Sequence, residues 1–134
     1  MPEFAQPYTY LVIAFGVFGG LLLMQLLIAD IAAVFGGHIP GTSVHESHDV
    51  FLFRAFRAHA NTNESVAAFV LIGVFAMLVS APPAWVNGLA WVYVGARIGH
   101  MATYYADLRA LRSTCFVVGL LALLGLLAVG LLAL

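Results

Sequence analysis

Lysine is absent from this chain, cysteine occurs once, and charged side chains make up only 8% of its 134 residues. A soluble domain carries about 25% charged residues, so this scarcity excludes an ordinary globular surface. With 63% of residues hydrophobic, it indicates an integral membrane protein. The five basic residues are all arginines (Arg54, Arg57, Arg97, Arg109 and Arg112), and the formal net charge is −1. That excludes a basic field for nucleic acid and a polybasic lipid-binding tail. A lone Cys115 excludes an internal disulfide and any Cys-x-x-Cys metal or redox motif. At the start of an apolar helix it reads as a small packed thiol rather than a nucleophile. Met1 to Gln6 lacks the basic region of a secretory signal, and the apolar stretch after it is too long for one. The N-terminal segment is therefore read as retained.

What the chain does have is apolar helix. Four spans are expected, approximately residues 8–35, 50–80, 83–105 and 112–134, in one transmembrane domain covering 1–134. Gly36-Gly37 closes the first, and Ala81-Pro82-Pro83 makes a tight turn into the third, with Pro83 suited to a first helical turn. Short second and third connections require antiparallel neighbours, giving an all-α, up-down-up-down four-helix bundle. Every arginine except Arg97 lies in or beside the first and third connections. The positive-inside rule puts those connections in the cytoplasm and both termini on the far side, as in a multi-pass protein of a bacterial inner membrane or an internal eukaryotic membrane.

The second span carries polar residues into the bilayer. Fourteen residues from Val66 to Val79 have only apolar or glycine side chains, a rise of ~21 Å where the bilayer core needs ~30 Å. To cross, the helix must draw Glu64 and Asn61 below the surface, where ionisable groups mark a site by default. Arg57, Asn61 and Glu64 share a sector of about 60°, and so do Tyr93, Arg97, His100 and Tyr104 on the third span. Counted from the far-side turn, Glu64, Asn61, Arg97 and His100 lie ~21–28 Å along their helices, one layer near the cytoplasmic edge. Arg112 begins the fourth span at the same interface. Two polar stripes thus meet in one depth band.

Plainer readings stand beside this one. Glu64 paired with Arg57 or Arg97 would be an ion-pair network that fixes helix register. Asp30 would pair with Arg54 or Arg57, and Gln25 would form a helix–helix hydrogen bond. His38, His45 and His48 occupy a solvated loop: His45-Glu46-Ser47-His48 has i, i+3 spacing, whereas a helical two-histidine metal site needs i, i+4. His59 points ~160° from Arg57 and reads as a packing residue. Gly16-x-x-x-Gly20 and Gly95-x-x-x-Gly99 permit close helix contact, and Phe15, Phe18 and Phe35 read as lipid contacts.

Three segments stand out together: Arg-x-x-Arg-Ala-His-x-Asn-Thr-x-Glu at 54–64, Ala96-Arg97-Ile98-Gly99-His100-x3-Tyr104, and Arg109-x-x-Arg112-Ser113. In this order they resemble the signature of the MAPEG family, membrane-associated proteins in eicosanoid and glutathione metabolism that include the microsomal glutathione transferases. The resemblance implies a homotrimer with sites between subunits, glutathione as co-substrate, and a lipophilic small-molecule substrate entering from membrane lipid. Carried over by position, Arg57, Asn61, Glu64, Arg97, His100 and Tyr104 would bind or support glutathione. Arg112 would hold its thiol as thiolate, with Ser113 beside it. The expected activity is that of a membrane-bound transferase or peroxidase acting on lipophilic electrophiles or lipid hydroperoxides. The alternative is a protein of this fold without glutathione chemistry, binding another anionic or lipid ligand or acting as a scaffold. The chain departs from several members in lacking an arginine late in the first helix, where it has Gln25, Asp30 and His38. Phe116 stands where prostaglandin E synthase has a tyrosine.

Overall fold

Twenty-seven consecutive residues, Thr9–Phe35, form the first helix, α1, after a short 3-10 turn over Glu3–Tyr8. The computed structural model describes all of residues 1–134. Leu11, Ala14, Phe18, Leu21, Gln25 and Ala29 recur every three or four residues along α1 and are buried, while Leu23, Leu27 and Ile31 on other faces are exposed. A helix apolar on all sides suits a bilayer, where only one stripe needs protein partners. The chain continues through α2 (Phe51–Glu64), α3 (Val66–Leu78), α4 (Pro83–Tyr105) and α5 (Arg109–Leu131). There are no strands.

The second expected span is therefore two helices. Ser65 adopts φ −108° and ψ −2°, and its N–H bonds to the carbonyl of Thr62 rather than one residue further back. The turn tightens locally to three-residue spacing, which separates the polar α2 from the apolar α3. Helix α5 begins at Arg109, three residues before the expected start, so Arg112 lies within its first turn. Pro83 is the first residue of α4, where its missing N–H leaves no intrahelical bond unmade.

Three of the four rods are long and apolar enough to cross a membrane: the α1 region, α2 with α3, and α5. Helix α4 matches α5 at 23 residues but falls outside that group, because its sequence carries Tyr93, Arg97, His100 and Tyr104. All four of those side chains are buried. The polar stripe of α4 is thus covered by neighbouring helices, while its opposite stripe, with Trp85, Trp91, Val92 and Ile98, is exposed.

Contacts at both ends show that α4 runs the length of the bundle. At one end Asn87 bridges to α1, its amide nitrogen donating to the Pro7 carbonyl at 2.9 Å and its oxygen accepting from the Leu11 N–H at 2.9 Å. That Leu11 N–H is one of the four a helix start cannot pair internally. The Tyr8 hydroxyl donates to the Ala81 carbonyl at 2.6 Å, and the Trp91 indole to the Tyr10 carbonyl at 3.1 Å. At the other end the Tyr105 and Phe51 rings meet edge to face, 5.4 Å apart.

An aromatic cluster fills the middle. Phe69 packs on Tyr93 at 4.4 Å, Phe15 at 5.1 Å and Phe18 at 5.3 Å. Phe18 is thus core rather than a lipid contact, because its turn of α1 faces Phe69 and Tyr93. Close approach in this region uses Gly73, where an added Cβ would lie 2.6 Å from the Phe15 ring. Gly16, Gly20 and Gly95 have nothing within 4 Å of such a Cβ, whereas at Gly99 it would lie 3.0 Å from Cys115 Sγ, so only Gly99 of the two spacings marks a close approach inside the protomer. Gln25 is 0% exposed, yet neither its amide oxygen nor its nitrogen has a partner, so the expected helix–helix hydrogen bond is not formed.

Candidate functional site

Arg97 organises the polar layer. It is 3% exposed and has no carboxylate partner. Its Nη1 donates to Asn61 Oδ1 at 2.8 Å and its Nη2 to Ser65 Oγ at 2.9 Å. The guanidinium carbon lies 5.5 Å from the Tyr93 ring centre and 5.6 Å from that of Phe116. Two neutral oxygens and two aromatic faces therefore replace a counter-ion, the rings contributing through their negative π faces. Asn61 and Ser65 can both reach Arg97 because residues four apart share a helix face and the tightened turn keeps them near one another.

This arrangement corrects the ion-pair expectation. Glu64 and Arg57 are exposed and make no salt bridge; the only ion pair in the protein joins Arg109 and Asp107 at 3.8 Å. Asp30 is not paired with Arg54 or Arg57 either. Arg54 instead donates to the backbone carbonyl of His48.

Beside Arg97 lies a cavity of about 250 Å³ lined by Asn61, His100, Tyr104, Arg112, Ser113, Phe116 and Val117. Arg112 places its guanidinium carbon 4.3 Å from the Tyr104 ring centre, and its Nη1 is buried without a hydrogen-bond partner. His100 is 2% exposed, meets Tyr104 edge to face at 5.3 Å, and leaves Nδ1 without a partner. The Ser113 hydroxyl donates to the Arg109 carbonyl at 3.2 Å, so what it can offer a ligand is a lone pair. No carboxylate lines the cavity. Arg112 stands in the first turn of α5, so its charge is added to the positive end of that helix's dipole. In chemical terms it is a small donor-rich recess suited to an anion.

Of the residues singled out by sequence, Asn61, His100, Tyr104, Arg112 and Ser113 line this one cavity, and Arg97 stands behind Asn61. Arg57 and Glu64 lie outside it on the protomer surface. Ser65, Phe116 and Val117 were not among the expected site residues. Ser65 follows Asn61 by four positions and Phe116 follows Arg112 by four, so helical periodicity held the signal for both. Asp30 and His38 line a separate hollow of about 420 Å³ with Thr42 and Phe56. Of the loop histidines only His48 approaches the site, its ring near-parallel to that of Tyr104 at 6.0 Å. A larger hollow, about 650 Å³, opens at the opposite end between Trp85 and Leu132 and contains no titratable side chain.

An all-helical membrane bundle with a buried arginine and a donor-lined recess at one end defines the class of this protein. The MAPEG family model matches residues 10–132, and the chain belongs to that family. No match was found among curated proteins.

Proposed function

We propose that this protein is a membrane-bound enzyme of glutathione transferase or peroxidase type. In this reading Arg112 holds the glutathione thiol as thiolate for attack on a lipophilic electrophile or a lipid hydroperoxide. The observation that carries it is the convergence of Asn61, His100, Tyr104 and Arg112 on one recess without a carboxylate, where Arg112 Nη1 is buried and unpartnered. A free thiol with a pKa near 8.5 is mostly protonated at neutral pH, and a fixed cation favours its ionised, nucleophilic form. Arginine suits that role because it stays charged. The transferase step forms a carbon–sulfur bond as the electrophile's leaving group departs with its electron pair. With a hydroperoxide, sulfur attacks the terminal oxygen as the O–O bond breaks, the alkoxide leaves and takes a proton to become the alcohol, and a second glutathione thiol displaces water from the sulfenic acid to give the disulfide.

At about 250 Å³ the recess is smaller than most ligand pockets, which run from about 300 Å³ upward. Arg57 and Glu64 are also exposed on a span that otherwise reads as membrane-embedded. Both observations support a homotrimer in which a neighbouring copy completes the site and covers those charges. A second reading, a MAPEG-fold protein that binds another anionic or lipid ligand, is favoured by the position of Arg57 and Glu64 outside the recess. Titrating glutathione into detergent-purified protein while following thiolate absorbance separates the two. A saturable thiolate signal is expected, and none at saturating glutathione would transfer the assignment to the second reading.

A further inference from the structure

Three elements meet at the hydroxyl of Ser65. Its oxygen lies 2.7 Å from the Tyr93 hydroxyl on α4, 2.9 Å from Arg97 Nη2 and 3.2 Å from the Thr62 carbonyl. A hydroxyl has one proton and two lone pairs. Guanidinium can only donate, so Arg97 occupies one lone pair. A carbonyl can only accept, so Thr62 takes the Ser65 proton. The second lone pair then accepts from the Tyr93 O–H. Tyr93 is 0% exposed and has no other side-chain hydrogen bond, so the reverse assignment would strand its proton in the core. The Ser65 hydroxyl is therefore saturated, and each of its three bonds has a fixed direction.

That direction propagates to the recess. Because Arg97 cannot accept a hydrogen bond, the Asn61 atom 2.8 Å from its Nη1 must be the amide oxygen. The Asn61 NH₂ is the end left free, and Asn61 lines the recess. We propose that Ser65 is a positioning residue: by holding Arg97 it fixes the Asn61 amide so that its N–H groups, not its oxygen, are offered to the bound anion. The identity of that anion rests on the glutathione reading, whereas the positioning does not. Without the hydroxyl, Arg97 Nη2 and the Tyr93 O–H lose their shared partner. The Asn61 amide can then turn over and present an acceptor to a negative ligand.

The test uses the full-length protein labelled with ¹⁵N-asparagine. The chain has three asparagines, Asn61, Asn63 and Asn87, so its side-chain amide spectrum contains three NH₂ pairs, and Asn61→Asp identifies one of them. Ser65→Ala should shift the Asn61 pair and speed its hydrogen exchange, leaving the other two in place. Ser65→Thr, which keeps a hydroxyl, should restore it. Where Ser65→Ala does not fold, Tyr93→Phe removes one partner of the same hydroxyl without changing volume and should move the same pair. In parallel, Ser65→Ala should raise KM for glutathione roughly 2- to 10-fold with little change in kcat, the scale of one lost hydrogen bond. An Asn61 pair unmoved in a folded Ser65→Ala or Tyr93→Phe variant overturns the proposal. A moved pair in a protein that binds no glutathione keeps the positioning and discards the functional reading instead.

Discussion

Arg97 and Arg112 are both arginines in the same layer, yet their surroundings assign them different work. Arg97 engages both Nη1 and Nη2 with Asn61 and Ser65, leaves only Nε without a partner, and lies against Tyr93 and Phe116, so it serves as framework. Arg112 rests on Tyr104 with Nη1 unengaged, so it is available to a ligand. We predict that Arg112→Ala leaves assembly intact, since a half-buried arginine at a helix start can be removed without stranding an opposite charge. It should abolish the thiolate signal and lower turnover by about 10²-fold, comparable to losing one preorganised transition-state donor. Arg112→Lys should recover most of the rate if a point charge suffices and little if the planar fork matters. Turnover of Arg112→Ala equal to wild type would remove Arg112 from the mechanism.

At the level of elements, three helices end in the same way. After α1, α3 and α4, a residue with positive φ bonds three positions back and the next residue bonds five back: Gly37 and His38, Ser80 and Ala81, Asp107 and Leu108. This closure favours glycine, which has no Cβ to clash in the left-handed region. Gly37 meets the requirement, but Ser80, at φ 55°, does not. We predict that Ser80→Gly stabilises the protein by about 1 kcal/mol, read as a higher thermal unfolding midpoint in detergent, whereas Ser80→Ala gives no gain. Lower stability in Ser80→Gly would show that the serine side chain has a contact that offsets its strain. How much could be read from sequence follows the same local physics. Pro83, Gly36-Gly37 and the period of the apolar residues marked helix ends and faces, and the i, i+4 relation put His100 and Tyr104 on one face of α4. The break at Ser65 was not legible, because its cause is tertiary: the hydroxyl is claimed by Arg97 and Tyr93 on another helix. The ion pairs inferred from charge count failed because Asn61 and Ser65, rather than a carboxylate, take the Nη1 and Nη2 donors of Arg97, while Glu64 is exposed.

For the whole molecule, the exposed charges carry the strongest expectation. Arg57 and Glu64 are exposed on a rod long and apolar enough to cross a membrane, and in lipid they require cover. We predict a trimer by native mass spectrometry in mild detergent; a stable monomer would count decisively against it. Glu64→Gln then separates two roles for this carboxylate. If it serves a ligand shared between copies, glutathione affinity falls while the trimer persists. If it pairs with an arginine of a neighbouring copy, breaking that buried pair costs about 3–5 kcal/mol, and the thermal midpoint drops with binding unchanged.

The polarity of α4 also bears on how the chain is threaded into the bilayer during synthesis. A helix carrying Arg97 and His100 in its second half is a poor substrate for insertion one segment at a time, since an arginine costs up to about 2.5–3.5 kcal/mol, the value at a helix centre. The two-proline turn at 82–83 joins α4 to the wholly apolar α3, only four residues after α3 ends. The two can therefore leave the translocation machinery as a hairpin, with the partners of Arg97 at hand in the preceding rod. We predict that α4 offered alone as a test segment in a glycosylation-mapping assay fails to integrate, and that residues 51–105 integrate as a pair. Efficient integration of isolated α4, equal to that of α5, would show that its polar stripe is shielded by lipid adaptation rather than by its own upstream helix.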